Sequence, residues 1–301
     1  MFRLVLFLYI SFFFLEASIL EEGIKAYKNK NYVKAVKLFS LSCKQNNMRA
    51  CYNLALCYAK GLGVKKDLLL EGYFFKKACS VGLKEACFNL GVLYEEKLGN
   101  KVKAREYYNK ACLLGDKESC FNLAHLLEDS NLSQSIKLYK LLCKYNYSSA
   151  CVSLGVIYEK KLYKNNEAIS FYNKACNLGS KNGCYNLGLK YFKYKDYSNA
   201  LKYFSKACLS YLDGESCFHV GIIYLIGAKK SNKKAFNFFK KSCNLNYAEG
   251  CDMEGLLYEV GKGTNLNLDK ALFLYKKSCE MNCNRGCKDF KRLKEKTNNI
   301  K

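Results

Sequence analysis

Cysteine is the residue type with the most chemistry to offer in this chain. There are 18 in 301 residues, beside two histidines, no proline and no tryptophan. Sixteen of the cysteines fall into pairs. Seven pairs have seven residues between their members: Cys43 with Cys51, Cys79 with Cys87, Cys112 with Cys120, Cys143 with Cys151, Cys176 with Cys184, Cys243 with Cys251, and Cys279 with Cys287. The eighth, Cys208 with Cys217, has eight. Paired thiols at such spacing are disulfides in an oxidising compartment and metal ligands or redox centres in a reducing one. A zinc site needs four ligands, and neither His125 nor His219 lies near the Cys279, Cys283, Cys287 cluster, so no metal and no cofactor is expected. Cys57 and Cys283 are left without a partner, and a buried free thiol is the expectation for Cys57.

Other catalytic chemistry is sparse. One Ser-x-x-Lys occurs, Ser231 to Lys234, without the Ser-Asp-Asn and Lys-Thr-Gly that a serine β-lactamase needs. His125 and His219 do not build a nucleophilic triad with any visible serine or cysteine. Asp129-Ser130-Asn131-Leu132-Ser133 contains an N-x-Ser glycosylation acceptor in an expected loop. The most regular polar feature is a row two residues after the second cysteine: Asn53, Asn89, Asn122, Ser153, Asn186 and His219, with Met253 at the equivalent place after Cys251. Carboxamides offer donor and acceptor together, as an extended peptide backbone requires. A parallel row, Glu95, Glu128, Glu159 and Glu259, reads as a solvated edge.

The cysteine pairs also define the elements that position these residues. Their first members recur every 31 to 36 residues, the period of helical repeat proteins. Each unit reads as two helices. In the unit from Leu83 to Gly115, Ala86, Cys87, Leu90, Gly91 and Leu93 line helix A; Ala104, Tyr107, Tyr108, Ala111 and Cys112 line helix B. Four residues before the first cysteine stands an aromatic in every unit: Phe39, Phe75, Tyr108, Tyr139, Tyr172, Phe204, Phe239 and Tyr275. Eight before it the residue is small, except Glu71; four after the second cysteine it is Gly or Ala in the first seven pairs. Small residues admit close helix approach and the rings fill the space between. Three after the first cysteine lies Gly82, Gly115 or Gly179, or Asn46, Asn146, Asn246 or Asn282, the residue types that tolerate the left-handed helix end. Tyr211 breaks this pattern in the longer-spaced pair. Each cysteine pair therefore straddles a tight turn between antiparallel helices, and eight disulfides are expected, one per turn.

The N-terminus, Met1-Phe2-Arg3 followed by an apolar run from Leu4 to Leu15, reads as a secretory signal over residues 1–17, which places the mature chain in the periplasm or outside the cell. The net charge of +24 comes from 45 Lys and five Arg spread along every unit. That distribution suits acidic surfaces better than specific nucleic-acid recognition, where arginine and clustering are the rule.

The repeated Ala-Cys-Phe-Asn-Leu-Gly-x-Leu-Tyr-Glu and Ala-x-x-Tyr-Tyr-x-Lys-Ala-Cys-x-x-Gly patterns resemble Sel one-like repeats, relatives of the tetratricopeptide repeat. In its disulfide-paired form the chain is similar to the Helicobacter cysteine-rich protein family. The resemblance covers about residues 20–288. It implies an all-α, right-handed α/α superhelical solenoid of about eight repeats over residues 20–301 with terminal caps, helix A on its concave face, and a disulfide in each repeat. It implies an exported protein- or peptide-binding module that meets host factors. It also implies penicillin binding with β-lactamase activity, for which the residues above supply no mechanism. The short unit after Cys112 departs from the family pattern near Ser130.

Overall fold

The computed structural model describes residues 19–227 and 230–298; the expected signal at residues 1–17 lies outside them. The described residues form helices joined by short turns, with no strand. Helix A and helix B alternate along the chain. They are α1 (residues 19–28), α2 (Tyr32–Lys44), α3 (Met48–Lys60), α4 (Leu68–Ser80), α5 (Lys84–Val92), α6 (Lys101–Leu113), α7 (Lys117–Leu126), α8 (Leu132–Lys144), α9 (Ser148–Lys160), α10 (Asn165–Asn177), α11 (Lys181–Lys193), α12 (Tyr197–Ser210), α13 (Gly214–Ile226), α14 (Asn232–Asn244), α15 (Ala248–Val260), α16 (Leu268–Glu280) and α17 (Asn284–Asn298). The chain divides into two compact units within α8, the first ending at Leu142 and the second starting at Cys143. Each unit stacks helical hairpins on their neighbours. The first hairpin, α1 and α2, has no disulfide at its entrance, and α17 is a final helix A without a helix B.

All eight expected cysteine pairs are bridged, each across the corner between a helix B and the next helix A. Cys43 is bonded to Cys51 with a Cα–Cα separation of 4.7 Å, Cys79 to Cys87 at 4.8 Å, Cys112 to Cys120 at 4.6 Å and Cys143 to Cys151 at 4.9 Å. Cys176 is bonded to Cys184 at 4.4 Å, Cys208 to Cys217 at 4.7 Å, Cys243 to Cys251 at 4.4 Å and Cys279 to Cys287 at 4.4 Å. Loops this short give about 2.5 kcal/mol each by loop-closure entropy. So close an approach demands small residues beside each sulfur. A Cβ on Gly183, the neighbour of Cys184, would fall 2.6 Å from that of Ala175. Gly250 and Gly286 lie where a Cβ would fall 2.2 and 2.4 Å from the hydroxyls of Ser242 and Ser278. Those hydroxyls donate to Gly214 and Ala248 carbonyls of the preceding helix A at 2.7 and 2.8 Å. Lysine two residues before the first cysteine closes the previous helix B. Lys77 Nζ donates to the Cys43 carbonyl at 3.1 Å and Lys206 Nζ to that of Cys176 at 3.2 Å, at the partly negative end of the helix.

The turn residues behave as their types dictate: Gly82, Gly115 and Gly179 and the four asparagines all have positive φ. In the longer-spaced corner, between Cys208 and Cys217, the left-handed residue is not Tyr211 but Leu212, at φ 52°. The one extra residue lets α12 run a position further before the chain reverses. The aromatic ladder packs on the small residues of helix A. A Cβ on Gly91 would fall 2.6 Å from the Tyr108 ring, and one on Gly155 2.3 Å from that of Tyr172. Tyr108, Tyr139, Tyr172, Tyr275, Phe39, Phe75, Phe204 and Phe239 are the largest fully buried side chains.

Two local departures follow from single residues. Glu71 holds the register that elsewhere is Ala or Ser and is buried at 3% exposure. Helix α5 continues through a π turn, Leu93–Lys97, whose last residue brings Nζ to 2.8 Å from both Glu71 oxygens. The unexplained departure in sequence is thus one half of an ion pair. Near Ser130, α7 stops at Leu126 and Asn131 caps α8 by accepting from the Gln134 amide at 3.1 Å, which shortens that repeat.

Candidate functional site

The Asn row is half-buried along helix A, and its members meet different surroundings. Asn89 Nδ2 donates to the Tyr52 hydroxyl at 3.2 Å, and Asn122 lies against the Tyr108 phenol. Both are engaged by their own fold. His219 is enclosed by rings: it stacks on Phe204 at 4.7 Å between centroids, with Tyr185, Phe192 and Phe218 around it. Burial holds its imidazole below the ordinary histidine range, and Nδ1 has no partner among the described residues. It fills space that carboxamides leave open elsewhere. Ser153 is half-buried on α9.

Asn53 and Asn186 differ, because each lines a cavity. In the second unit a cavity of about 520 Å³ opens between α9 and α11. Val156, Leu189 and Phe192 give it apolar walls and the Tyr172 ring of α10 its floor. Buried Lys190 and half-buried Glu159 form an ion pair at the edge of that floor, 2.6 Å apart, with the Tyr172 hydroxyl donating to Glu159 at 2.8 Å. Those two hydrogen bonds outweigh burial and hold the Glu159 carboxyl below its usual range. Asn186 opens on the cavity, and Lys160 and Lys193 stand exposed at its rim. In the first unit a cavity of about 330 Å³ opens between α1 and α3, lined by Ile24, Tyr27, Lys28, Phe39, Asn53 and Leu56.

The two cavities are the same place in two repeats. Counted within the repeat, Ile24 corresponds to Val156, Lys28 to Lys160, Phe39 to Tyr172, Asn53 to Asn186 and Leu56 to Leu189. Each is built by two successive A helices over the aromatic of the B helix between them. Sequence reasoning placed the Asn row but not these cavities, because a cavity needs the register of three helices at once.

The Glu row is corrected by the structure. It is not a merely solvated edge: Glu95, Glu128, Glu159 and Glu259 each accept a hydrogen bond from the ladder tyrosine of the same repeat, at 2.8, 3.0, 2.8 and 2.8 Å. Arg292 adds two contacts of 2.7 Å to Glu259 and holds that carboxyl below its usual range. The signal was present in the sequence. Every repeat with Tyr in the ladder has Glu eight residues after its second cysteine, and every repeat with Phe there has Tyr27, Ala59, Phe192 or Leu225 instead.

The candidate catalytic residues are not assembled. Ser231 caps α14 by accepting from the Lys234 amide at 3.3 Å, and the Lys234 ammonium lies 5.3 Å over the Tyr224 ring. His125 is exposed beside Glu128 at 3.2 Å. Among the described residues no three His, Cys, Asp or Glu side chains cluster as a metal would require. Cys57 and Cys283 are free and buried, and burial pushes the Cys57 thiol up to about 11. No helix among the described residues is long and apolar enough to cross a membrane.

Stacked helical hairpins, with each corner between a helix B and the next helix A stapled by a disulfide, define a helical repeat protein of the tetratricopeptide type. The chain belongs to the Sel1 repeat family: the Sel1 repeat model matches residues 17–47, 49–83, 84–116, 182–210, 214–247 and 250–283. The tetratricopeptide repeat model matches residues 148–182. No curated protein matches the chain. Among solved structures it is similar to a Sel1 repeat protein from Oxalobacter formigenes, with 17% identity over 92% of this chain and 87% of that one and a TM-score of 0.79. It is also similar to c5321, a protective antigen of uropathogenic Escherichia coli, with 21% identity over 93% of this chain and a TM-score of 0.68; the chain spans 65% of that protein's length. Helicobacter pylori cysteine rich protein B is 32% identical over 41% of this chain and 93% of its own, with a TM-score of 0.35.

Proposed function

We propose that this is an exported, disulfide-stapled Sel1 repeat protein that binds other proteins through extended peptide segments laid along its A helices. The observation that carries the reading is the recurrence of one cavity, in one register, with an asparagine at its side in both units: Asn53 in the first and Asn186 in the second. An apolar-walled hollow with a neighbouring carboxamide takes a side chain while the amide pairs with the backbone beside it. Sel1 and tetratricopeptide repeats typically serve protein binding, which agrees. Eight disulfides suit an oxidising compartment outside the cytoplasm, whether periplasm or extracellular space, and contact with host factors there is part of the proposal. The β-lactamase reading finds no support, since Ser231 and Lys234 are occupied in capping and ring contact.

The test is capture of fluorescent peptides from a random-sequence library by the oxidised chain. Substituting Asn53→Ala together with Asn186→Ala should weaken capture about tenfold with unchanged circular dichroism, as loss of one or two backbone hydrogen bonds per site implies. Unchanged capture by the double variant would refute the assignment of these two residues. A chromogenic β-lactam assayed in parallel should stay at background.

A further inference from the structure

We infer that the two cavities select acidic peptide segments, in which an apolar side chain enters the hollow and a neighbouring Glu or Asp side chain meets a pair of lysines at its rim. The inference rests on the peptide-binding reading and names its ligand. Nine residues after the second cysteine, or its equivalent in α1, helix A ends in a residue that varies along the chain: Lys28, Lys60, Glu96, Asp129, Lys160, Lys193, Ile226, Val260 and Lys296. Only two successive pairs of A helices carry lysine on both members, Lys28 with Lys60 and Lys160 with Lys193. Those are the helix pairs that enclose the two cavities, α1 with α3 and α9 with α11. Lys28, Lys160 and Lys193 line the cavities, and Lys60 ends the helix that contributes Asn53 and Leu56 to the first.

All four lysines are exposed, and none takes part in an ion pair among the described residues. Nearby negative charge is already committed in the second cavity. Glu159 is held by Lys190 and by the Tyr172 hydroxyl, and Lys190 donates its other contact to Asn165 at 2.9 Å. The first cavity has Tyr27 in the register of Glu159 and so has no carboxylate there. Two like charges at the mouth of an apolar hollow repel each other until an anion arrives. The walls, Val156, Leu189 and Phe192 in one unit and Ile24 and Leu56 in the other, favour an apolar residue beside that anion. The ligand's anion is an internal acidic side chain and not a chain terminus.

The experiment is fluorescence anisotropy at two salt concentrations with peptides blocked at both ends, of the repeating patterns Leu-Glu, Leu-Gln and Leu-Lys. The Leu-Glu peptide should bind about tenfold tighter than Leu-Gln, with the preference reduced by salt. Reversing the rims with Lys28→Glu, Lys60→Glu, Lys160→Glu and Lys193→Glu should abolish that preference. A control variant, Lys37→Glu with Lys76→Glu on α2 and α4, should keep it; loss of the preference there as well would mean general charge attraction and overturn the inference. Equal binding of Leu-Glu and Leu-Gln overturns the inference while the peptide-binding reading stands. A Leu-Gln peptide that reaches the Leu-Glu affinity once its C-terminus is free points to a terminal carboxylate and overturns the internal one. Failure of all three peptides and of the random library sinks both readings.

Discussion

Glu254 is the place where this chain contradicts its own pattern most sharply, and replacing it is the clearest test of the packing argument. Three residues after the second cysteine the six preceding repeats carry Leu54, Leu90, Leu123, Leu154, Leu187 and Val220, all at most 4% exposed. In α15 the same position is Glu254, at 5% exposure. Burial pushes its carboxyl above the usual carboxylate range, and Lys240, Lys277 and Lys270 draw it only part of the way back. Glu254→Leu exchanges a buried charge, which costs several kcal/mol before nearby cations offset part of it, for an apolar side chain whose burial contributes about 1.5–3 kcal/mol. The variant should therefore be more stable by about 2–4 kcal/mol at pH 7.5.

The pH dependence carries a definite sign. The folded carboxyl titrates above its unfolded value, so folding of the wild type is penalised in full above the folded pKa. That penalty fades as pH falls through it and is gone below the unfolded value of about 4.3. The gain from Glu254→Leu should then shrink between pH 7.5 and pH 4. Urea unfolding of both proteins at both pH values, with amide exchange in α15 as the local probe, measures this; stacked repeats need not unfold in one step, and exchange reports the repeat concerned. A destabilised variant, or a gain independent of pH, would refute the reasoning.

Three further outcomes follow from the same geometry. Tyr108→Phe should cost about 1 kcal/mol by leaving Glu95 without its donor, and the double variant with Glu95→Leu, which reproduces the combination of Phe239 with Leu225, should cost less than the sum of the two single changes in a double-mutant cycle. Gly155→Ala places a Cβ 2.3 Å from the Tyr172 ring and should destabilise the second unit by about 1–3 kcal/mol, read as a lower urea midpoint with unchanged slope. Cys57, fully buried with its thiol pushed up to about 11, should resist iodoacetamide at pH 7.5 in the folded protein and react at once in denaturant.

The repeat was legible because one packing problem is solved eight times in one chain. Cysteine spacing, the aromatic four residues before the first cysteine, and Gly or Asn at the turn each recur often enough to identify the hairpin, and the structure puts the rings, the small residues and the disulfides where that pattern places them. What escaped the pattern involves two repeats or a single inserted residue. Leu212 takes the left-handed turn because one added residue between Cys208 and Cys217 shifts the reversal by one position. Lys97 meets Glu71 only through a π turn that no periodicity marks. His219 occupies an Asn register, yet the surrounding rings of three helices turn it from a candidate ligand into packing. The Tyr–Glu bonds lay within reach, since the two residue types rise and fall together along the chain, but each row read alone suggested core in one case and solvent in the other.

That co-occurrence bears on how the two cavities differ. The ladder aromatic and the residue eight after the second cysteine together make the cavity floor. In the first unit they are Phe39 and Tyr27, so the floor carries no charge beneath the lysine rim. In the second they are Tyr172 and Glu159, and the carboxylate pairs with the buried Lys190. Because hydrogen bonds from Lys190 and Tyr172 hold Glu159 below the ordinary carboxylate range, its charge persists on acidification after a ligand's own carboxylate has begun to protonate. Both cavities should release an acidic peptide as pH falls through about 4, through the ligand rather than through the protein. Lys190→Met removes the compensating cation and leaves Glu159 facing the ligand's charge. It should weaken acidic-peptide binding in the second unit at neutral pH and leave the first untouched, and anisotropy on variants carrying rim reversal in only one unit separates the two. Equal loss in both units would mean that the floor charge does not act locally.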